Sequence, residues 1–123
     1  MKIQSRNVLF AVGALVALTV SLAAHMAVEK TDPARDATVT LALKHVQLWF
    51  TQKPDLKVTK IELEGPSGAV KLAPAHMMGE KSVMAALDGE LADGAYTVRW
   101  QSAGDDGHVQ KGAYAFQLKR AKP

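Results

Sequence analysis

The chain has 123 residues, of which 48% are apolar and 22% are charged, and its formal net charge is +3 at neutral pH. This length and composition suffice for one domain with a modest core, and the absence of cysteine excludes disulfides and thiolate metal sites. Because the chain has neither a polybasic run nor basic residues interleaved with aromatic ones, we expect no nucleic-acid partner.

The N-terminal segment has the layout of a secretory signal peptide. Lys2 and Arg6 form a basic end, and a nearly unbroken apolar stretch follows and gives way to small residues. The apolar stretch is short for a membrane-spanning helix, which needs about 20 residues. An uncleaved membrane anchor is the alternative interpretation if the apolar run is extended to Ala24. We predict that residues 1–24 are removed and that residues 25–123 are exported as a soluble domain.

The exact cleavage site decides which residue begins the exported chain. Cleavage after Ala24 leaves His25 as the first residue, whereas cleavage after Ala23 leaves one alanine in front of it. The sequence alone does not choose between them. Removal of residues 1–24 takes away two basic and no acidic side chains, so the remaining 13 basic and 12 acidic side chains nearly balance.

From residue 37 onward, apolar and polar residues alternate over short stretches. A period of two places one set of side chains on one face of a strand, and the clusters QKPD, EGPSG, LADG and SAGDDG separate the stretches as turns. The alternating apolar positions are Val39, Leu41, Leu43, Val46, Leu48, Phe50, Ile61, Leu63, Tyr96, Val98, Trp100, Tyr114, Phe116 and Leu118. Short strands with frequent turns predict one antiparallel β-sandwich or barrel domain.

One stretch, residues 81–92, fits two structures. Its composition allows a helix, whereas Val83 and Leu87 followed by Asp-Gly fit a strand and its turn. Elsewhere we expect the aromatic residues at strand spacing to be core or rim residues, and His45 to lie on the surface.

The sequence lacks the local signatures of common enzymes. No Gly-x-Ser-x-Gly motif supplies a nucleophilic serine on a strained turn, and no glycine-rich run opens a helix that could hold a phosphate. Asp105 and Asp106 are neighbours, and neighbours on an extended chain point apart, so they do not make an acid/base pair. We predict that the protein is not an enzyme.

Histidine and aspartate supply the remaining candidate chemistry. Asp106 and His108 are two residues apart, so on an extended segment they face the same way and can share a hydrogen bond or a metal; a turn with an exposed histidine is the alternative. An N-terminal His25 can chelate a metal through its amine and ring Nδ1, and a second imidazole completes a plane of three nitrogens suited to Cu(II). Zinc also accepts imidazole but prefers a tetrahedron, and an uninvolved terminus is the alternative for His25.

Two stretches carry a resemblance to a known family. HMAVEKTDPARDATV at residues 25–39 resembles the start of the CopC family of periplasmic copper-binding proteins, and LADGAYTVRWQSAGDDGHVQKGAYAFQL at residues 91–118 is similar to its most distinctive run. Between them, LWFTQ resembles the second apolar strand of the family. The resemblance covers essentially the whole exported chain.

The resemblance implies a fold, a ligand set and a role. The fold is a seven-stranded Greek-key β-sandwich of the immunoglobulin-like or cupredoxin-like kind, which binds one Cu(II) per chain. The amine and ring of His25 and the ring of His108 form a histidine brace, with Asp106 beside the metal either as a weaker oxygen ligand or as a partner of the ligands that does not bind the ion itself. The family sequesters or delivers copper for homeostasis or resistance, often alongside a CopD-like inner-membrane copper transporter. We expect a monomer that does not insert into the membrane.

The sequence also departs from the family in one respect. Some members carry a methionine-rich loop that binds Cu(I), but the corresponding residues 61–72 contain no methionine. Met77 and Met78 follow His76, but they face opposite sides of an extended chain, and methionine is a common core filler. We expect packing and loop roles for these three residues and no Cu(I) site.

Two other functions stay open. The same brace could form a copper oxidase that acts on an unknown substrate, in which case the metal must cycle between oxidation states and meet oxygen. A β-sandwich that binds only other proteins would have no copper affinity. We favour the binding protein, since a carboxylate close to copper stabilises Cu(II) against reduction.

Overall fold

In a computed structural model, residues 25–121 are described, and they form two β-sheets. The strands in chain order are β1 Val28–Asp32, β2 Thr38–Val39, β3 His45–Phe50, β4 Lys60–Gly65, β5 Gly68–Val70, β6 His76–Met77, β7 Ser82–Ala86, β8 Gly94–Ala103 and β9 Val109–Leu118. A single turn of 3₁₀ helix, Leu56–Val58, precedes β4. Within the described range, no helix has the length and apolar character that a membrane crossing requires. The predicted signal peptide lies outside these residues.

The two sheets have four and five strands. The first has the order β1-β3-β7-β6, and the second has the order β2-β9-β8-β4-β5. All pairs are antiparallel except β2 and β9, which run parallel. The prediction of a Greek-key β-sandwich is confirmed. The described residues contain nine strands instead of seven, because β2 and β6 are additional strands of two residues each.

The core lies between the inner faces of the two sheets. Every second residue is buried along β3 and along the second half of β9, as the alternation in the sequence predicts. Burial of each large apolar side chain contributes about 1.5–3 kcal/mol. The buried core residues are Met26, Val46, Leu48, Phe50, Leu63, Val83, Tyr96, Val98, Tyr114, Phe116 and Leu118.

The prediction of an alternating strand over residues 39–43 was wrong beyond Val39. Strand β2 ends at that residue, and Leu41 is 77% exposed. The chain leaves the five-stranded sheet here and enters the four-stranded sheet at His45, so it cannot continue in one hydrogen-bonded ladder. Leu43 still packs against the core from outside a strand.

Strand pairing decides the structure of residues 81–92 and of the turn at EGPSG. Residues 81–92 contain β7, so the strand interpretation is correct and the helix is not. The sequence EGPSG forms the hairpin between β4 and β5, in which Gly65 lies opposite Gly68. Gly68 has a φ of 106°, a backbone conformation that glycine adopts without steric cost.

Candidate metal centre

The three residues predicted as metal ligands lie together at one end of the sandwich. His25 stands three residues before β1, and Asp106 and His108 belong to the loop that joins β8 to β9. One potential ligand atom from each side chain lies within 4.8 Å of the other two. Residues that are far apart in the sequence therefore meet at one point of the surface.

The carboxylate of Asp106 lies between the two imidazole rings. Its Oδ2 is 3.2 Å from Nδ1 of His25 and 3.3 Å from Nδ1 of His108. The ring centroids are 5.7 Å apart and the ring planes are tilted by 41°. Each ring therefore directs its Nδ1 atom at the same carboxylate oxygen, Oδ2 of Asp106.

The loop holds Asp106 and His108 in a turn, and not in the extended conformation that the spacing suggested. The backbone N–H of His108 donates to Oδ1 of Asp106 at 3.0 Å, which is the hydrogen bond of an Asx turn. Between them, Gly107 has a φ of 75° and its N–H donates to the carbonyl of Gly104 at 3.1 Å. The turn brings the two side chains together as effectively as a strand would.

His25 is exposed, but the backbone that follows it is fixed. Met26 is only 3% exposed and belongs to the core. The N–H of Ala27 donates to Oγ1 of Thr51 at 3.0 Å, and the N–H of Thr51 donates to the carbonyl of Ala27 at 2.9 Å. Met26 thus anchors the chain directly after His25.

The β8–β9 loop packs through Gly104 against the segment that lies directly before β1. A Cβ at Gly104 would collide with the side-chain amide of Gln52 and would lie 3.1 Å from Cβ of Met26. The same Gln52 accepts a hydrogen bond from the N–H of Asp105 at 3.2 Å through its Oε1. Sequence reasoning missed both Gly104 and Gln52. The only signal for Gly104 was its place in SAGDDG, which we assigned to a turn.

Local electrostatics keep the Asp106 carboxyl ionised. The hydrogen bond from the backbone N–H of His108 lowers the pKa of Asp106, and the nearby charges of His108 and His25 lower it further. Desolvation opposes these effects without cancelling them. An ionised carboxylate can bind a metal without first releasing a proton.

The donor set suits a transition metal. Two imidazole nitrogens and a carboxylate oxygen are ligands for Cu(II) and Zn(II). The side chains of His25 and His108 are 62% and 72% exposed, so an ion can reach them from solvent. The other histidines lie elsewhere: His45 is 3.4 Å from the carboxylate of Asp32, and His76 is in β6.

The structure is therefore a two-sheet β-sandwich with a group of candidate metal ligands, which lie just before the first strand and in the loop of the last hairpin. Residues 28–119 match the family model for the CopC domain, and the chain belongs to the CopC family. This match includes Asp106 and His108 and begins three residues after His25.

Individual proteins are also similar to this chain over most of its length. Protein YobA of Escherichia coli strain K12 is 32% identical over 114 residues, which cover 86% of this chain and 92% of that protein. Protein YobA of Shigella flexneri matches to the same extent.

Solved structures show the same fold. The crystal structure of PcoC, a methionine-rich copper resistance protein from Escherichia coli, matches with a TM-score of 0.68 and 28% identity, over 78% of this chain and 100% of that one. The crystal structure of CopC from Methylosinus trichosporium OB3b matches with a TM-score of 0.72 and 22% identity, over 80% of this chain and 98% of that one. At 22% identity, the second likeness concerns the fold.

Proposed function

We propose that this protein binds one Cu(II) per chain in the periplasm through His25, Asp106 and His108. The observation that carries the proposal is the convergence of these three ligand atoms within 4.8 Å in a member of the CopC family. The similarity to PcoC, a copper resistance protein, supports copper as the metal.

The proposed site needs the chain to begin at His25. Cleavage after Ala24 frees the amine of that residue, which then chelates the ion together with its own Nδ1. The ring of His108 supplies the third nitrogen, and Asp106 supplies an oxygen. A plane of nitrogen donors is a geometry that Cu(II) favours. The proposed signal peptide is therefore part of the metal chemistry, since its removal creates a ligand.

The biological role that we propose is sequestration or delivery of Cu(II) in copper homeostasis or resistance. The exposure of both rings supports exchange with a second protein, because an incoming ligand can approach the ion from solvent. The proposed receiver is an inner-membrane transporter of the CopD type, and the proposed working form is a monomer.

The decisive experiment is native mass spectrometry of the protein recovered from the periplasm, with and without one equivalent of Cu(II). A mass that begins at His25 and a gain of one copper are expected. A matched chain with one glycine inserted before His25 should lose the high affinity, because the amine becomes a peptide nitrogen. His45→Gln is the control for loss of an unrelated histidine. A wild-type chain that gains no copper, or a glycine-extended chain that binds as tightly, contradicts the proposal.

The alternative function is a copper oxidase. The exposure of both histidine side chains is compatible with it, since oxygen could reach a metal there. The contact of Asp106 with both rings supports the binding protein instead, because a carboxylate favours Cu(II) over Cu(I). The copper-loaded protein with ascorbate and oxygen should produce peroxide no faster than free copper. Sustained turnover above that control would establish the oxidase.

A further inference from the structure

The sandwich has one open side, where an edge of each sheet borders a cleft. Strand β1 is the last strand of the four-stranded sheet, and β2 pairs with β9 only at Gln117 and Leu118. The first part of β9, residues 109–113, therefore has no described strand on the side away from β8, and we call this part the free edge of β9. The cleft between β1 and the free edge has a volume of about 400 Å³, within the range of ligand-binding sites.

The free edge of β9 presents backbone groups that no described residue bonds. The carbonyl of Ala115 accepts a hydrogen bond from the N–H of Asp36, so Ala115 directs its backbone groups away from β8. These groups alternate in direction along a strand, so those of Lys111 and Ala113 point the same way as those of Ala115. Among residues 25–121, none pairs with Lys111 or Ala113 on that side. The sheet can therefore accept a further strand here, as sheet edges do in peptide recognition.

The cleft has an aromatic floor beside this edge. Trp100 and Tyr114 both line the cleft, and Trp100 is half-buried, with its ring centroid 5.6 Å from that of Phe50. A Cβ at Gly112 would lie 2.6 Å from the indole of Trp100, so the indole lies directly against the β9 backbone. A strand added to the free edge would place every second side chain on the side of this floor, which adds apolar contacts to the backbone hydrogen bonds.

The charges that line the cleft favour an acidic occupant. Lys30, Arg35 and Lys111 are exposed there, and the one exposed carboxylate among the lining residues is that of Glu29. Within the described part of the chain, neither Arg35 nor Lys111 forms an ion pair. Two copies of this chain that paired through β9 would bring their basic side chains together, and like charges opposite each other destabilise a strand pair. An acidic segment would instead meet opposite charge.

We propose that the free edge of β9 docks an extended, acidic peptide segment of a partner protein, which adds to the five-stranded sheet as a further strand. Backbone hydrogen bonds to Lys111 and Ala113 supply affinity, and the aromatic floor and the basic side chains select the sequence of the segment. The docking itself requires no metal.

The cleft leads to the candidate metal centre. Met26, which directly follows His25, and Gln110, which lies two residues after His108, both line it. A docked strand therefore runs toward the proposed copper site and would bring the partner protein next to the ion. This consequence rests on the proposed function, whereas the docking does not.

The test uses the metal-free exported chain and a short blocked peptide of alternating valine and glutamate, with backbone hydrogen exchange followed by NMR. Saturating peptide should slow exchange at the N–H groups of Lys111 and Ala113 at least about tenfold, because these groups become hydrogen-bonded. The N–H of Gly112 points at β8 and is the control within the same strand. Unchanged exchange at Lys111 and Ala113 would refute the docking site. Since no metal is present, that result is distinct from a failure of the Cu(II) site.

Modified peptides test strand addition itself. Residues opposite each other in a ladder point to the same face, so the glutamates lie opposite Lys111 and Ala113 when the valines cover the aromatic floor. N-methylation of the glutamates removes the N–H groups that face β9 and should weaken binding at least about tenfold, as expected for the loss of one or two hydrogen bonds. N-methylation of the valines is the matched control and should leave binding unchanged. Equal affinity of the two methylated peptides would overturn strand addition.

Variants of the protein test the charge preference. Lys111→Gln should weaken binding of the unmodified peptide up to about fivefold, the range of an exposed ion pair. Lys60→Gln is the matched control, because Lys60 is also exposed and lies in the same cross-strand row, on the far side of Gln101. Equal affinities in both variants, or equal binding of a peptide with lysine in place of glutamate, would refute the acidic preference.

Self-association has its own signature in the same exchange measurement. Exchange at Lys111 and Ala113 that slows without peptide as the protein concentration rises would assign the free edge to a second copy of the chain, and it would overturn the proposal. Exchange that is independent of protein concentration until the peptide is added is expected.

Discussion

At the residue scale, Asp106 has two separate tasks that fall to its two oxygens. Oδ1 accepts the backbone hydrogen bond that shapes the loop, and Oδ2 faces both imidazoles. An asparagine in its place keeps an oxygen for the loop but loses the negative charge. The two histidines have no such division of tasks, because each offers its Nδ1 to the same point.

This difference predicts unequal effects of substitution on Cu(II) affinity. His108→Ala removes a nitrogen ligand and should weaken binding at least about tenfold. Asp106→Asn should weaken binding less, because the loop and both nitrogens stay in place. Competition with a chelator of known Cu(II) affinity measures both, in chains that begin at His25. Equal affinities in the two variants and the wild type would remove Asp106 and His108 from the site.

The lowered pKa of Asp106 predicts a pH dependence of the metal-free protein. The unfolded chain takes up a proton at the ordinary aspartate pKa of about 3.9, whereas the folded carboxyl, held by the backbone N–H of His108, has a lower pKa. Between these two values the unfolded state binds more protons, so the free energy of unfolding falls as the pH drops. The contribution is complete above the unfolded pKa and is lost as the pH passes through the folded pKa.

The measurement for this prediction is an NMR titration of the Asp106 carboxyl carbon in metal-free protein. A midpoint below that of aspartate in a short unfolded peptide is expected. A midpoint equal to or above the peptide value would show that the contacts of Asp106 with His108 and His25 do not hold in solution.

At the element scale, the site depends on how two segments meet. The β8–β9 loop carries two of the ligands, and the segment before β1 carries the third, so their relative position sets the ligand distances. Gly104 is the contact point, because a Cβ there would overlap Oε1 of Gln52 and lie 3.1 Å from Cβ of Met26.

Gly104→Ala should therefore impair both stability and metal binding. The added methyl group would displace Oε1 of Gln52, whose hydrogen bond with the N–H of Asp105 contributes about 0.5–1.5 kcal/mol, and it would crowd Cβ of Met26, so the loop shifts relative to the segment that carries His25. Gly65→Ala is a matched control, since its Cβ would collide with the ring of Tyr96 at the far end of β8. Denaturant unfolding and Cu(II) titration of both variants are the measurements. A Gly65→Ala protein that loses copper affinity as Gly104→Ala does would point to a general effect of overpacking.

The sequence predicted features that arise from local patterns and missed those that depend on distant pairing. Alternation was sufficient to find β3, β8 and β9, because every second residue there faces one core. It failed beyond Val39, where the chain changes sheets and no local signal marks the change.

The candidate site shows the same division. The Asp106 and His108 pair could be found from its spacing, and His25 from its place after the predicted signal peptide. Gln52 could not be found, because its contact with the N–H of Asp105 joins two loops that are distant in the sequence.

At the scale of the whole molecule, the sandwich needs polar pairing as well as apolar burial. Ser102 is fully buried, and its hydroxyl lies 2.7 Å from that of Thr59. Thr59 also donates to the carbonyl of Asp55 at 2.7 Å. This pair joins β8 to the segment around the 3₁₀ helix, which crosses between the sheets.

The pair predicts an asymmetric effect on stability. Thr59→Val leaves the buried hydroxyl of Ser102 without its partner, which costs about 1–3 kcal/mol, whereas Ser102→Ala removes one hydrogen bond and costs about 0.5–1.5 kcal/mol. The double variant should cost less than the two losses combined. Urea unfolding of the three variants provides the values. Additive losses would mean that the two hydroxyl groups do not interact.

The anchoring of Met26 in the core has a consequence for the loaded protein. Under the proposed function, one ion is held by a residue at the start of the exported chain and by residues in its last hairpin. Such an ion acts as a removable cross-link that encloses most of the polypeptide in one loop, and a cross-link of that span restricts the unfolded chain strongly. Copper would then serve as a structural cross-link as well as a cargo, and release of the ion would lower the free energy of unfolding of the whole sandwich.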